Sequence, residues 1–445
     1  MDNYASYKPG TFTIDISNFE KAQTMFHEKD MPAFIHEYCH YIQDITTISS
    51  IFGFSLWFRD LVNLVNISSN GEGKTITIPF ERDIHGERVN KFRSFYSLYC
   101  GDGSCVLNID FSNHKLNRIH FEIKDIDLDG NIQKLGVNEI ELSGRTGKLR
   151  FGLIVLQEIH AYYSQKLAET KPSQSPPQIF ADDLPSFPYK FGDFLFDNFE
   201  IVTDLETKFI ISGLCLDTVQ APTIFLKVLE ELKGSAIAMV DIHYLETVVE
   251  KCRLDCSYSN QDAFDNIIPD LQMWAASHGR VELTASLDWY LEKVMVAQEF
   301  KRMHSPLIFM NAFCMDWKTL GTIFMAFPAP VYFDNGILAG NLAKDDNQKK
   351  FFLEEFERAS TFWAHRIIFD LLCSKDLKEV EQRCECPLLE RCEIRLENDE
   401  EYTYICKRSP WEIVKGKQEA PCIYGMAVHS MGLWQNDLEI NTDAE

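Results

Sequence analysis

The chain has 445 residues, with 45% hydrophobic, 13% aromatic and 25% charged side chains, enough for two or three well-filled cores and against extensive disorder. Its 67 acidic against 43 basic residues give a formal net charge of -24, which repels phosphate backbones and excludes nucleic acid as the principal ligand. The opening residues lack a basic segment followed by an apolar run, the apolar stretches near Ile51–Trp57 and Leu61–Val65 are interrupted by Arg59 and Asp60, and the 13 cysteines are odd in number and scattered. A reduced, cytoplasmic protein that neither crosses a membrane nor relies on disulfides is the expectation.

Residues 17–68 read as helices. Asp30 and Pro32 mark a helix start, and Met31, Phe34, Ile35, Ile42 and Ile45 then recur close to the helical period. A second helical run covers Phe54–Val65, and Asn70-Gly71-Glu72-Gly73 breaks the pattern. Between 70 and 148 the signals are short strands at Thr75–Ile78, Val106–Phe111, Ile119–Ile126 and Val137–Leu142. Asp129-Gly130 supplies a hairpin turn and 88–99 an intervening helix. Helix returns over 149–168. A proline-rich stretch, 171–190, reads as a linker or loop. Beyond it, helices are expected at 203–218, 220–233, 241–252, 283–302 and 345–373, with Trp289, Tyr290 and Phe300 in the core. The expected fold is α+β: residues 1–170 with a mostly antiparallel sheet, a mainly α-helical region at 191–375, and a Cys-rich lobe at 376–445.

The chemistry concentrates at His36-Glu37-Tyr38-Cys39-His40. Two histidines four apart on a helix share one face, so both imidazoles can reach one ion. Glu37, beside the first histidine, can take a proton from a metal-bound water as that water attacks a carbonyl. The motif resembles the zincin metallopeptidases. That resemblance implies a zincin-like domain in residues 1–170, a catalytic Zn2+ held by His36 and His40, and Glu37 as catalytic base. The metzincin continuation, which needs a glycine and a third histidine, is absent from Tyr41-Ile42-Gln43-Asp44-Ile45-Thr46.

A catalytic zinc takes three protein ligands. The gluzincin branch draws its third from a glutamate on a later helix, and Glu158 is the candidate here. It sits in an otherwise apolar helix bearing Phe151, Leu153, Ile154, Val155 and Leu156, where a lone buried carboxylate is costly and a metal offsets that cost. Ala161, one turn on, permits close approach to the motif helix. His160 competes as a ligand but lies on a different face from Glu158. Tyr162 or Tyr163 could donate to an oxyanion, and Asp44 could orient a ligand imidazole.

Near the C-terminus, Cys384, Cys386, Cys392, Cys406 and Cys422 fall in a short aperiodic stretch. Four thiolates at such spacings, from Cys384, Cys386, Cys392 and Cys406, could hold a second, structural Zn2+ or an iron–sulfur cluster, although the spacing matches no standard pattern. Taken together, the residues point to an intracellular zinc peptidase. Its substrate is expected to be a protein or peptide that pairs with a strand edge, and its helical half could bind a regulatory protein. A zinc amidase or deacylase uses the same residues. A helical scaffold with an accidental motif is a further alternative, and a di-iron oxidase is disfavoured because no second Glu-x-x-His occurs.

Overall fold

The computed structural model describes residues 6–7, 12–16, 31–69, 75–78, 94–103, 105–128, 131–171, 180–237, 241–256, 267–273, 276, 281–329, 331–333, 336–337, 346–374, 377–386, 389, 399–415 and 422–440. The helix expected over 17–30, the Asn70–Gly73 break, the Asp129-Gly130 turn, residues 172–179 of the proline-rich stretch and Cys392 lie outside these residues. The fold mixes many helices with small sheets, as the α+β expectation had it.

Strands β1 (Ser6–Tyr7) and β2 (Ile14–Ile16) precede two long helices, α1 (Met31–Thr46) and α2 (Ile48–Ser69). Pro32 sits in the first turn of α1, where its missing N–H costs no hydrogen bond. Strand β3 (Thr75–Ile78) and helix α3 (94–100) follow, then the hairpin β4 (Leu116–Leu128) and β5 (Asn131–Leu142), and β6 (Lys148–Phe151). Next comes α4 (Leu153–Glu169), so residues 149–151 are strand rather than the first turn of a helix. They pair with β5, from Asn138↔Phe151 to Glu141↔Lys148. The Val106–Phe111 alternation finds only one bridge, Leu107↔Phe187, before Asp110 closes a 3-10 turn by accepting from Ser112 N.

The second half contains α5 (Phe191–Asn198), β7 (Val202–Thr203), α6 (Leu205–Leu216), α7 (Ala221–Glu231), β8 (Ala236–Ile237), α8 (Ile242–Asp255) and α9 (Val281–Met303). It continues with α10 (Ile308–Cys314), α11 (Trp317–Ala326), β9 (Val331–Phe333), β10 (Gly336–Ile337) and α12 (Asp346–Leu372). The last elements are α13 (Leu377–Arg383), α14 (Asp399–Arg408), α15 (Ile423–Ser430) and β11 (Asp437–Ile440). The five helices expected between 203 and 373 therefore form within a few residues of their expected limits.

Long-range pairing stitches the expected segments together. The four-stranded sheet runs β1-β2-β9-β10, and β3 pairs in parallel with β11. Buried side chains from Tyr7 to Leu433 form one connected core. At its centre Phe54 meets Tyr290 at 4.1 Å and Phe362 at 5.6 Å between ring centroids. By length and composition α2 could cross a membrane over Ile48–Asn66, at a mean hydropathy of 1.2, but 89% of that window is buried inside the protein. Its apolar surface is used by the core.

Candidate metal centre

Helices α1 and α4 pack face to face, and the reason is legible in their side chains. Ala161 and Ser164 are fully buried and small, so the two backbones come close. Gln157 fills the remaining polar space by donating to Ser50 Oγ at 2.9 Å. The start of α4 is pinned by two glycines. A methyl on Gly152 would lie 2.4 Å from the Gly101 nitrogen, and Gly101 itself has φ +71. Asp102 adds hydrogen bonds from Arg150 N at 2.8 Å and Arg150 Nε at 3.0 Å. The far end of α1 is capped by α9, where Gln298 Nε2 and Lys301 Nζ donate to the Thr46 carbonyl at 2.9 and 3.2 Å.

This packing brings His36, His40 and Glu158 together. Among the described residues they are the one group of His, Cys, Asp or Glu with three ligand atoms all within 4.8 Å of one another. The Nε2 atoms of His36 and His40 each lie 3.2 Å from Glu158 Oε2. Two ligand atoms about 2.0–2.1 Å from a tetrahedral ion stand roughly 3.3 Å apart, which matches the spacing of each imidazole from the carboxylate. The histidine side chains are 6% and 5% exposed and the glutamate 20%, which leaves one open side. The cluster can bind a metal ion.

The surroundings orient the ligands. His40 Nδ1 donates to Gln43 Oε1 at 2.9 Å. The other end of that amide donates to the Gln157 carbonyl at 3.1 Å, which fixes its orientation. With Nδ1 held as the donor to Gln43, Nε2 is the ring atom that faces the centre. Burial pushes the His40 imidazolium down, but the Glu158 carboxylate overrides it and raises the pKa to about 9. Glu158 shows the reverse: burial raises it, and the two histidines win and hold it at about 2. Burial also raises Glu37, partly offset by His36 and His40, so its carboxylate lies within electrostatic reach of both rings.

The other expected roles divide. His160 turns away from the centre: Nδ1 meets the Phe209 carbonyl at 3.1 Å and Ser212 Oγ at 2.9 Å, and burial lowers its pKa to about 3. It is a core histidine. Asp44 Oδ2 accepts from the Tyr7 hydroxyl at 2.7 Å, and Gln43 holds the His40 imidazole. Tyr162 is also engaged elsewhere. Its hydroxyl donates to Asp182 at 3.3 Å, beside an open polar groove of about 810 Å3 that also holds Lys166 and Lys190. Tyr189, which the sequence did not single out, stands at the centre instead, its ring 5.6 Å from that of His36. The charge on Glu158 is the first cause of its raised pKa, followed by burial and Glu37. Cys39, inside the motif, is pushed up to about 12 by burial and is no ligand.

The cysteine-rich lobe brings no third sulfur to a common point among the described residues. Cys386 and Cys406 are neighbours: Cys386 N donates to the Cys406 carbonyl at 2.7 Å, and the adjoining Cys386 thiol lowers Cys406 to about 7. Cys384 instead directs its thiol at the Glu381 carbonyl, 3.2 Å away, and Cys422 Sγ caps α15 by accepting from Gly425 N at 3.2 Å. Local backbone bonds thus engage two of the thiols. Cys392 lies outside the described residues.

No family model, curated protein or solved structure matches this chain. The chemistry of the centre therefore stands on its own geometry.

Proposed function

We propose that this chain is a zinc-dependent hydrolase of zincin type, with a protein or peptide as substrate. The observation that carries the reading is the convergence of three ligand atoms on one buried point, with Glu37 on the same helix as two of them. His36, His40 and Glu158 would hold the ion, which when bound supplies Lewis acidity and a water of lowered pKa. Glu37 would accept the proton released as the carbonyl is attacked and pass it to the leaving amine. Tyr189, not Tyr162, would donate its phenolic hydrogen to the developing oxyanion. Its ring packs beside His36, and its hydroxyl proton is retained throughout the neutral range.

The test is Glu37→Gln in the full chain, assayed with a quenched fluorescent peptide library and with metal analysis. The reading expects one zinc per chain in both proteins and activity in the wild type alone. Equal cleavage by the two proteins would remove Glu37 from the mechanism. Iron in place of zinc would point to oxidative chemistry on the same two histidines and carboxylate.

A further inference from the structure

Tyr7 touches the motif helix with two different parts of itself. Its ring stacks on His40, centroids 6.0 Å apart and planes 13° from parallel. Its hydroxyl donates to Asp44 Oδ2 at 2.7 Å, one turn beyond His40. The residue is only 9% exposed. These contacts depend on the strand that carries it, because β1 is the edge of its sheet and is held by the register Tyr7↔Ile14, with β2 in turn paired to β9.

We infer that Tyr7 is a positioning residue for the metal centre, its ring setting the His40 imidazole. The inference rests on metal binding at His36, His40 and Glu158 and not on the hydrolase reading. The imidazole is clamped on two sides. Gln43 holds Nδ1 by a hydrogen bond while the Tyr7 ring covers its face, so the ring plane cannot swing without breaking both contacts. The hydroxyl bond to Asp44 keeps the tyrosine itself from rotating away. Ligand and strand are thereby coupled through one side chain.

The experiment uses the full chain and two variants. Tyr7→Phe keeps the ring and Tyr7→Leu removes it. Each is loaded with Co2+, and its visible spectrum, its rate of cobalt release to a chelator and its thermal midpoint are recorded. Tyr7→Leu should release cobalt roughly tenfold faster and alter the ligand-field bands, and Tyr7→Phe should restore both. A wild-type release rate and spectrum in Tyr7→Leu would overturn the role at His40, as would losses that merely follow the thermal midpoint.

Discussion

Replacing Glu158 by glutamine should change how many protons leave the protein when zinc binds. In the metal-free chain the Glu158 carboxylate lies 3.2 Å from both Nε2 atoms, and it lifts His40 from the usual 6.5 to about 9 against the opposing effect of burial. That rise is worth roughly 3 kcal/mol at about 1.36 kcal/mol per pKa unit. Because the folded value lies above the unfolded one, the stabilisation is complete below 6.5 and is lost as pH rises through about 9. Zinc needs the Nε2 lone pair, so near pH 7.5 its binding must expel about one proton from His40. Between about 6.5 and 9 the affinity should climb up to tenfold per pH unit, the expected consequence of a single displaced proton.

Glu158→Gln removes the charge while keeping the side-chain volume. Burial is then opposed only by weaker partners, His40 returns toward 6.5, and the imidazole is largely neutral at the same pH. Calorimetric titration of zinc into metal-free protein, in two buffers of different ionisation enthalpy, counts the protons directly. About one is expected for the wild type and close to none for the variant, alongside weaker binding from the lost ligand. The same proton count in both proteins would refute the argument, since it would mean that Glu158 does not set the protonation of His40.

Three further outcomes follow from the contacts around the centre. Gln43→Leu removes the acceptor for His40 Nδ1 and should weaken zinc binding about 10–100-fold, or roughly 1.4–2.7 kcal/mol, measured by competition with a fluorescent chelator. Tyr189→Phe should lower kcat by about 100–1,000-fold with zinc content and KM little changed; a loss confined to KM would show a binding contact instead. Gly152→Ala drives a methyl to 2.4 Å from the Gly101 nitrogen, so the start of α4 must shift. That should cost about 1–3 kcal/mol and lower the thermal midpoint. A midpoint equal to the wild type's would show that the two backbones do not meet there.

Much of this centre is legible in the residues themselves because its logic is local. The pair His36 and His40 is recognisable from the helical period. Glu158 stands out because an acid in the middle of an apolar helix demands compensation. Gln43 could have been found by the same arithmetic, since it lies three residues after His40 on the same side of α1. Tyr7 and Tyr189 could not. Each reaches the site from outside the two packed helices, one from an edge strand and one from the segment before α5, and no periodicity encodes such an arrival.

The fold shows the same division. Helices with long apolar periods formed where expected, whereas residues 149–151 became strand because β5 offers them a ladder. The Val106–Phe111 alternation lacked a continuous partner, and Asp110 turned the backbone into a 3-10 turn. Segments far apart in the chain meet where β2 pairs with β9 and β3 with β11, contacts between residues hundreds of positions apart. In the C-terminal lobe Cys384 and Cys422 direct their thiols to local backbone groups, and Cys392 lies outside the described residues.

The most direct measurement is anomalous diffraction at the zinc absorption edge from crystals of the zinc-loaded chain. The account expects a single strong peak bounded by His36 Nε2, His40 Nε2 and a Glu158 oxygen, with bonds of about 2.0–2.2 Å and an open position facing Glu37 and Tyr189. Zinc found elsewhere, or the two imidazoles bonded to the carboxylate with no ion between them at saturating zinc, would contradict it.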